Sequence, residues 1–328
     1  MAMTPEALGS LRRLASFLEE NQGRLVIDAD THATDLASLT GPARQRYESE
    51  PGYYHGRPVS AEDLLREMEM AKVDVALIWQ NPAATADTND PERNAEALLA
   101  ANRYIRDAAE RYPNKFIPAG WTDPKACGLA SAVRMAEVFV CEFGFPIVKM
   151  NPAQNRYPID SPEVLRVVDR IVELGAVPAF HFGADTPFTP SEGLEAVSLR
   201  HPDHPLLAVH MGGGGAGYLE AEALYQKARE LGLRRPNIRY ILSAKRDPHM
   251  ESDFIAYRLA GPPYSGSLFC GSDAPYGRLS WNFGGFRAML QSLMDAESAQ
   301  AYLGGNFARF VLAACRRLLA AQSPSEGA

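Results

Sequence analysis

Eight short, β-rich apolar runs recur along the chain, and longer amphipathic segments separate them. They open at Leu25 (LVIDADTH), Val73 (VDVALIWQ), Phe116 (FIPAGWTD), Pro146 (PIVKMNP), Val177 (VPAFHFG), Pro205 (PLLAVHMGG), Ile238 (IRYILSAK) and Leu268 (LFCGSDAP). From Pro146 onward the starts recur every 28 to 33 residues, the length of one strand plus one crossover helix. Strands that are apolar nearly throughout are buried on both faces, which predicts a parallel sheet covered by helices. Two architectures satisfy this pattern, a closed (β/α)₈ barrel and an open doubly wound sheet.

The position of the polar residues separates them. Each run is apolar at its start and polar at its C-terminal end: Asp30 and His32, Gln80, Asp123, Lys149 and Asn151, His181, His210, Lys245, Asp273. In a barrel these ends converge on one mouth, where barrel active sites lie, whereas an open sheet spreads them across its width. The expectation is therefore a TIM barrel with a site at the C-terminal mouth. One domain over residues 1–328 is expected, with a helical extension over 1–22, a long loop over 36–58 after strand one and a frayed tail over 320–328.

The intervening segments carry helix signals. Ser60, with Asp63 three residues on, predicts an N-cap before the helix SAEDLLREMEMAK. Pro91 suits the first turn of a helix carrying Leu98, Leu99, Asn102 and Ile105, and Gly175 suits the end of SPEVLRVVDRIVELG. The four cysteines (Cys127, Cys141, Cys270, Cys315) have no metal-type spacing and read as reduced thiols of a cytoplasmic protein. A net charge of −7 argues against nucleic acid or an acidic membrane surface as partner. Neither a signal peptide nor a bilayer-spanning run is visible. The partner expected is a small-molecule substrate, and a homodimer stays open.

Three of the seven histidines, His32, His181 and His210, fall at C-terminal strand ends. The others scatter: His55 lies in the long loop, His201 and His204 precede a strand at the opposite face, and His249 follows AKRDP. Singly, such a histidine reads as a hydrogen-bonded core residue, and Asp273 as a helix cap. Period-2 geometry puts Asp28, Asp30 and His32 on one face of strand one. Asp28 is expected one layer below the mouth, with Asp30 the carboxylate that reaches it and Asp28 its alternative. The glycines Gly212 to Gly215 lack the spacing of a nucleotide loop and read as a turn that lets backbone approach the mouth.

The pieces IDADTH, FHFG, HMGG and GSDAP, in that order and spacing, resemble the amidohydrolase superfamily. Within it they resemble the amidohydrolase-related (amidohydrolase 2) branch that includes aminocarboxymuconate-semialdehyde decarboxylase-like enzymes. The resemblance runs from Val26 to about Arg316. It implies one divalent metal, Zn²⁺ or Mn²⁺, held by Asp30, His32, His181 and Asp273, with His210 acting on the substrate and Asp273 also moving protons. The family's first strand usually ends in His-x-His, and Asp30 stands here at the first of those positions. Such a metal lowers the pKa of a bound water from 15.7 to about 7.

Lys149 reads either as a carbamylated bridge to a second metal or as a cation that meets substrate charge. Trp79, Trp121, Phe182, Tyr276 and Trp281 fall at or just after strand ends and read as packing or as walls for a flat substrate. Arg246 reads as a partner for a substrate carboxylate or as a surface ion pair. Lys149, Asn151, Arg246 and Trp79 are the expected substrate contacts. The primary expectation is a metal-dependent hydrolase of a small cyclic or aromatic substrate. The alternative is a non-oxidative decarboxylase (carboxy-lyase) of an aromatic or unsaturated acid, and a catalytically silent binding barrel is the third reading.

Overall fold

Each of the eight runs becomes a strand in the computed structural model, which describes residues 2–49, 56–85, 88–183, 187–213, 222–244 and 247–322. They are β1 (Ile27–Ala33), β2 (Val75–Gln80), β3 (Phe116–Pro118, continuing at Gly120–Trp121), β4 (Ile147–Met150), β5 (Val177–His181), β6 (Leu206–Val209), β7 (Ile238–Leu242) and β8 (Leu268–Cys270). All pair in parallel with their sequence neighbours. The first segment of β3 pairs with β2 and the second with β4, and between them the Ala119 N–H reaches the Ile78 carbonyl at 3.1 Å. Thr31 bridges Ala274 in parallel, which brings the segment after β8 back onto β1 and closes the (β/α)₈ ring.

The strands bury both faces. Ala76, Leu77 and Ile78 in β2, and Phe180 in β5, are shut off from solvent, as the near-continuous apolar runs require. The helices contribute the outer layer. Pro162–Glu173 buries Val164, Val167, Val168 and Ile171 at helical spacing. Ser60 caps Ala61–Ala71, accepting from the Asp63 N–H while the Asp63 carboxylate accepts from the Ser60 N–H. The helix Pro91–Arg111 begins on Pro91 and is capped by Asp90. Gly175 follows the helix Pro162–Glu173 at φ +87°, the left-handed conformation that ends such a helix.

An N-terminal helix, Pro5–Asn21, buries Ala7, Leu11, Ala15 and Leu18 and packs against the last helix, Asn306–Ala321. Between strand one and Ala61 the long connection forms a 3₁₀ turn (Leu36–Ser38) and a helix (Gly41–Ser49), and the Gly56 N–H bonds the Pro275 carbonyl at 2.9 Å. This ties the connection to the loop after β8. The four cysteines are buried and form no disulfide. His201 and His204 lie where their position before a strand puts them, at the N-terminal face: His204 Nε2 is 2.8 Å from the Ala176 carbonyl, just before β5. No described helix is long and apolar enough to cross a membrane. His55, Gly214, Gly215, Lys245, Arg246 and the tail over 323–328 lie outside the described residues.

A wide turn, Ala301–Gly305, lies against the foot of β1, and a Cβ on Gly304 would clash with the Leu25 carbonyl oxygen and fall 2.8 Å from the Ile27 nitrogen. Gly284 is the contrasting case, an exposed helical glycine within Leu279–Leu293 with open space where a Cβ would go. Gly304→Ala should therefore cost about 1–3 kcal/mol as the turn is pushed off the strand. Gly284→Ala should raise stability by about 0.4–1 kcal/mol by lowering the entropy of the unfolded chain. Urea unfolding of both variants beside the parent protein checks the two signs.

Candidate functional site

The site starts from an irregularity in β1. Its register with β2 shifts between Asp28 and Thr31, and the strand then delivers Asp30 and His32 to the mouth. From β8, Asp273 arrives on the other side of the ring seam. Its backbone sits at φ +58°, held by its own N–H on the Asp30 carbonyl at 2.9 Å and by the Tyr276 N–H on its carbonyl at 2.7 Å. The ligand atoms of Asp30, His32 and Asp273 lie within 4.8 Å of one another. His32 Nε2 is 3.8 Å from Asp30 Oδ1 and 3.5 Å from Asp273 Oδ1. Asp30 and His32 are buried, whereas Asp273 keeps 13% of its side chain open to a cavity.

The donor set suits a divalent cation. His32 Nδ1 lies 2.8 Å from the Gln80 carbonyl. A carbonyl only accepts, so Nδ1 carries the proton and Nε2 presents its lone pair to the two carboxylates, the tautomer a ligating histidine needs. Asp30 is held from behind by the Trp79 indole N–H at 3.0 Å on Oδ1 and by the Ser243 hydroxyl at 2.7 Å on Oδ2. Gly271 makes room for it, because a Cβ there would fall 2.9 Å from that of Asp30. Burial pushes the Asp30 carboxyl up, but Lys149, His210 and His32 together with the Ser243 bond outweigh it and hold the group ionised, below the usual carboxylate range.

Lys149 is the second charge. Its Nζ lies 3.7 Å from Asp30 Oδ1 and 4.8 Å from the ring centres of both Trp79 and Trp121. Burial lowers its pKa, and the carboxylates of Asp30 and Asp273 oppose that shift. The surrounding rings offer a cation–π contact, and Nζ stands beside the carboxylates.

Ser243 also begins a relay. With its hydroxyl proton given to Asp30, its Oγ accepts from His210 Nδ1 at 2.9 Å. His210 Nε2 then accepts from His181 Nδ1 at 3.1 Å. Burial is the main cause that lowers the pKa of both imidazoles, that of His181 well below the ordinary value, so both are neutral at neutral pH. The relay leaves His181 Nε2 with a free lone pair. His181 stands outside the three-residue group of Asp30, His32 and Asp273.

A cavity of about 380 Å³ opens above these groups, lined by His32, Trp121, Lys149, Asn151, His181, His210, Asp273 and Tyr276. The structure thus brings to one mouth most of the residues singled out in the sequence. Asn151 lines it and also caps the turn Pro152–Asn155, accepting from the Gln154 N–H at 3.0 Å. Trp79 does not reach the cavity: it is fully buried behind Asp30, because β2 turns its side chain toward the carboxylate and under Lys149. Trp281 is 68% exposed on the helix Leu279–Leu293 and does not line the cavity, and Phe182 is buried against Tyr240. Asp123 serves its own loop, accepting from the Lys125 and Ala126 N–H groups. Arg246 lies outside the described residues.

Asp28 sits one layer down. Its Oδ1 accepts from the Asp30 N–H at 3.1 Å and the Ser272 N–H at 2.9 Å, and burial pushes its pKa up to about 8. It clamps β1 to β8. Ser243 was not singled out from the sequence. Its signal was present as the first polar residue after the apolar run of β7, two positions before Lys245.

Titration calorimetry with Mn²⁺ should find about one site per chain. Ser243→Ala removes a hydrogen bond that orients Asp30 and should weaken that binding about 10- to 100-fold. Asp30→Ala should weaken it at least as much. Asp28→Asn should leave it near the parent value, and full binding by Asp30→Ala with loss in Asp28→Asn would reassign the carboxylate.

The amidohydrolase family model (Amidohydro_2) matches residues 27–312. No curated protein sequence matches the chain. Among solved structures it is similar to 5-carboxyvanillate decarboxylase from Sphingomonas paucimobilis, at 16% identity and TM-score 0.65 over 87% of this chain and 98% of that one. It is similar to 2,6-dihydroxybenzoate decarboxylase from Rhizobium at 14% identity and TM-score 0.64, over 88% and 98% of the two chains. The 5-carboxyvanillate decarboxylase of Novosphingobium aromaticivorans, solved with manganese and 4-hydroxy-3-methoxy-5-nitrobenzoic acid, matches at 16% identity and TM-score 0.66 over 88% and 96%. At these identities the likeness establishes the shared barrel. The match over residues 27–312, on a barrel with Asp30, His32 and Asp273 gathered at its mouth, makes the chain a member of the amidohydrolase family.

Proposed function

We propose that the protein is a metal-dependent, non-oxidative decarboxylase of an aromatic carboxylic acid, the alternative that the sequence left beside hydrolysis. One observation carries the reading: a single cavity joins the metal-binding group to a buried ammonium, Lys149, and to two aromatic walls, Trp121 and Tyr276. That combination suits a flat ring bearing a carboxylate. The three solved structures named above are decarboxylases, one of them holding manganese, which favours Mn²⁺ over Zn²⁺ and a carboxy-lyase over a hydrolase.

Asp30, His32 and Asp273 would hold the cation, with His181 offering Nε2 as a further ligand. When bound, it supplies a Lewis-acid contact for the substrate's oxygens. The remaining work falls to the chain's own residues. Lys149 attracts the substrate carboxylate into the cavity. Trp121 and Tyr276, each edge-on to His32 with ring centres 5.9 and 5.6 Å away, define the slot for the ring. The Tyr276 hydroxyl donates to Asn81 Oδ1 at 2.7 Å, which keeps that wall in place.

Asp273, the carboxylate of the set that is open to the cavity, takes a proton from solvent and passes it to the ring carbon that carries the substrate carboxylate. The carbon–carbon bond then breaks, its electron pair restores the ring, CO₂ leaves, and Asp273 is again ionised. The balance is one carboxylate and one proton in, one C–H bond and one CO₂ out. Neutral His210, held by Ser243 and His181, presents its ring to the substrate and positions it.

The Mn²⁺-loaded protein, run in D₂O over a panel of hydroxylated benzoates, should release CO₂ and yield a product with one deuterium at the vacated carbon. Asp273→Asn should slow turnover about 10²- to 10⁴-fold. Hydrolysis of lactones or amides by the same preparation, with no CO₂ from any benzoate, would return the reading to a hydrolase.

A further inference from the structure

At the opposite end of the barrel a second cavity, of about 460 Å³, is lined by Arg239, Arg309 and Arg317. Its walls come from the segments that precede β6, β7 and β8 (Pro205, Pro236, Pro263) and from the last helix, Asn306–Ala321. This is the N-terminal face, remote from the metal-binding group, so the cavity takes no part in the reaction proposed above.

The three guanidinium groups lack the partners that arginines ordinarily take. The chain carries 40 acidic residues against 33 basic ones, so carboxylates are in excess. Yet among the described residues no carboxylate forms an ion pair with any of the three. Among the described residues Arg239 donates to the carbonyls of Pro236 and Ile238, and Arg309 donates to Asn306 Oδ1 at 2.5 Å. Nε and Nη2 of Arg317 are shielded from solvent and have no acceptor. One carboxylate, Asp203, also lines the cavity, which leaves two positive charges in excess.

Like charges gathered around one space repel, and a shielded guanidinium without an acceptor is costly to keep. The Arg317 charge is felt by its surroundings: burial lowers the pKa of His204, its bond to Ala176 opposes this, and Arg317 lowers it further. Arg239 is lowered by burial in the same way. The proline walls are stiff and carry no N–H of their own.

We infer that this cavity is a second binding site, for a small anion bearing phosphate or carboxylate groups, which supplies the negative charge that Arg239, Arg309 and Arg317 find in no described carboxylate. Guanidinium matches both groups with paired N–H donors. The volume accommodates a small metabolite rather than a single ion.

Inorganic phosphate and succinate serve as probes, titrated by calorimetry into the metal-loaded protein at constant ionic strength. Saturable binding of one or both is expected, phosphate alone pointing to a phosphorylated ligand and succinate alone to a polycarboxylate. Arg309→Gln, at an exposed position, and Arg317→Met should each weaken it about tenfold or more. Asp30→Ala, which disables the metal centre, should leave it unchanged. Without a probe, Arg317→Met should melt at or above the parent Tm, because it removes unsatisfied buried donors; a structural arginine would lower it. Saturable binding by neither probe up to tens of millimolar, or binding that survives Arg309→Gln and Arg317→Met, or is lost in Asp30→Ala, would overturn the site. Should Arg317→Met fail to fold, Arg309→Gln alone decides.

Discussion

The seam between β1 and β8 is where the barrel and its site are made by the same contacts. The His32 N–H on the Ala274 carbonyl at 2.6 Å and the Asp273 N–H on the Asp30 carbonyl at 2.9 Å close the ring. The same two bonds set His32, Asp30 and Asp273 side by side. Asp28 reinforces the seam from below by accepting the Ser272 N–H, across 244 residues of sequence. Contacts of that separation carry a large chain-closure entropy and are realised only when the rest of the sheet is in place. The candidate metal centre therefore exists to the extent that the ring is shut.

The mouth is also where the backbone departs from ordinary conformations. His210, Met211, Ala244 and Asp273 all have φ between +45° and +77° at the ends of β6, β7 and β8. Side-chain-bearing residues held there cost on the order of 1–3 kcal/mol each and persist only when their surroundings over-determine them. Here hydrogen bonds do so: the Gly213 N–H bonds the His210 carbonyl at 2.9 Å, and the Tyr276 and Gly277 N–H groups bond that of Asp273. Strain of this kind at a pocket wall fits a region shaped for chemistry more than for stability.

Charge at the mouth follows the same logic. Lys149 and Asp30 are both buried, and a buried ion pair contributes little net stability, because desolvation offsets most of the attraction. Removing one partner leaves the other unpaired in a low dielectric, so the pair is locked in as a unit. Trp79 is central to it, giving its N–H to Asp30 and its ring face to Lys149. The two neutral histidines and Ser243 extend this polar layer across the pocket floor, over strands that are apolar beneath.

Much of this was legible in the sequence, because strand and helix periodicity are local properties. The apolar runs placed all eight strands, the Ser60 and Gly175 signals placed helix ends, and the polar strand ends placed Asp30, His32, Lys149, His181, His210 and Asp273 at one mouth. Periodicity could not say which way a side chain leans once two strands meet. Trp79 reads as a pocket wall by position and is a buried support, Trp281 reads the same way and faces solvent, and Ser243 bridges Asp30 to His210 across 213 residues. The arginine cavity is likewise invisible in a linear reading, since Arg239, Arg309 and Arg317 share no motif. By itself the sequence determined the barrel and which residue types reach its mouth, because runs of apolar residues and turn chemistry act over a few residues. Only the tertiary structure decided which carboxylate faces which imidazole and which charges go unpaired, because those choices depend on the closure of the ring and on packing between residues distant in the chain.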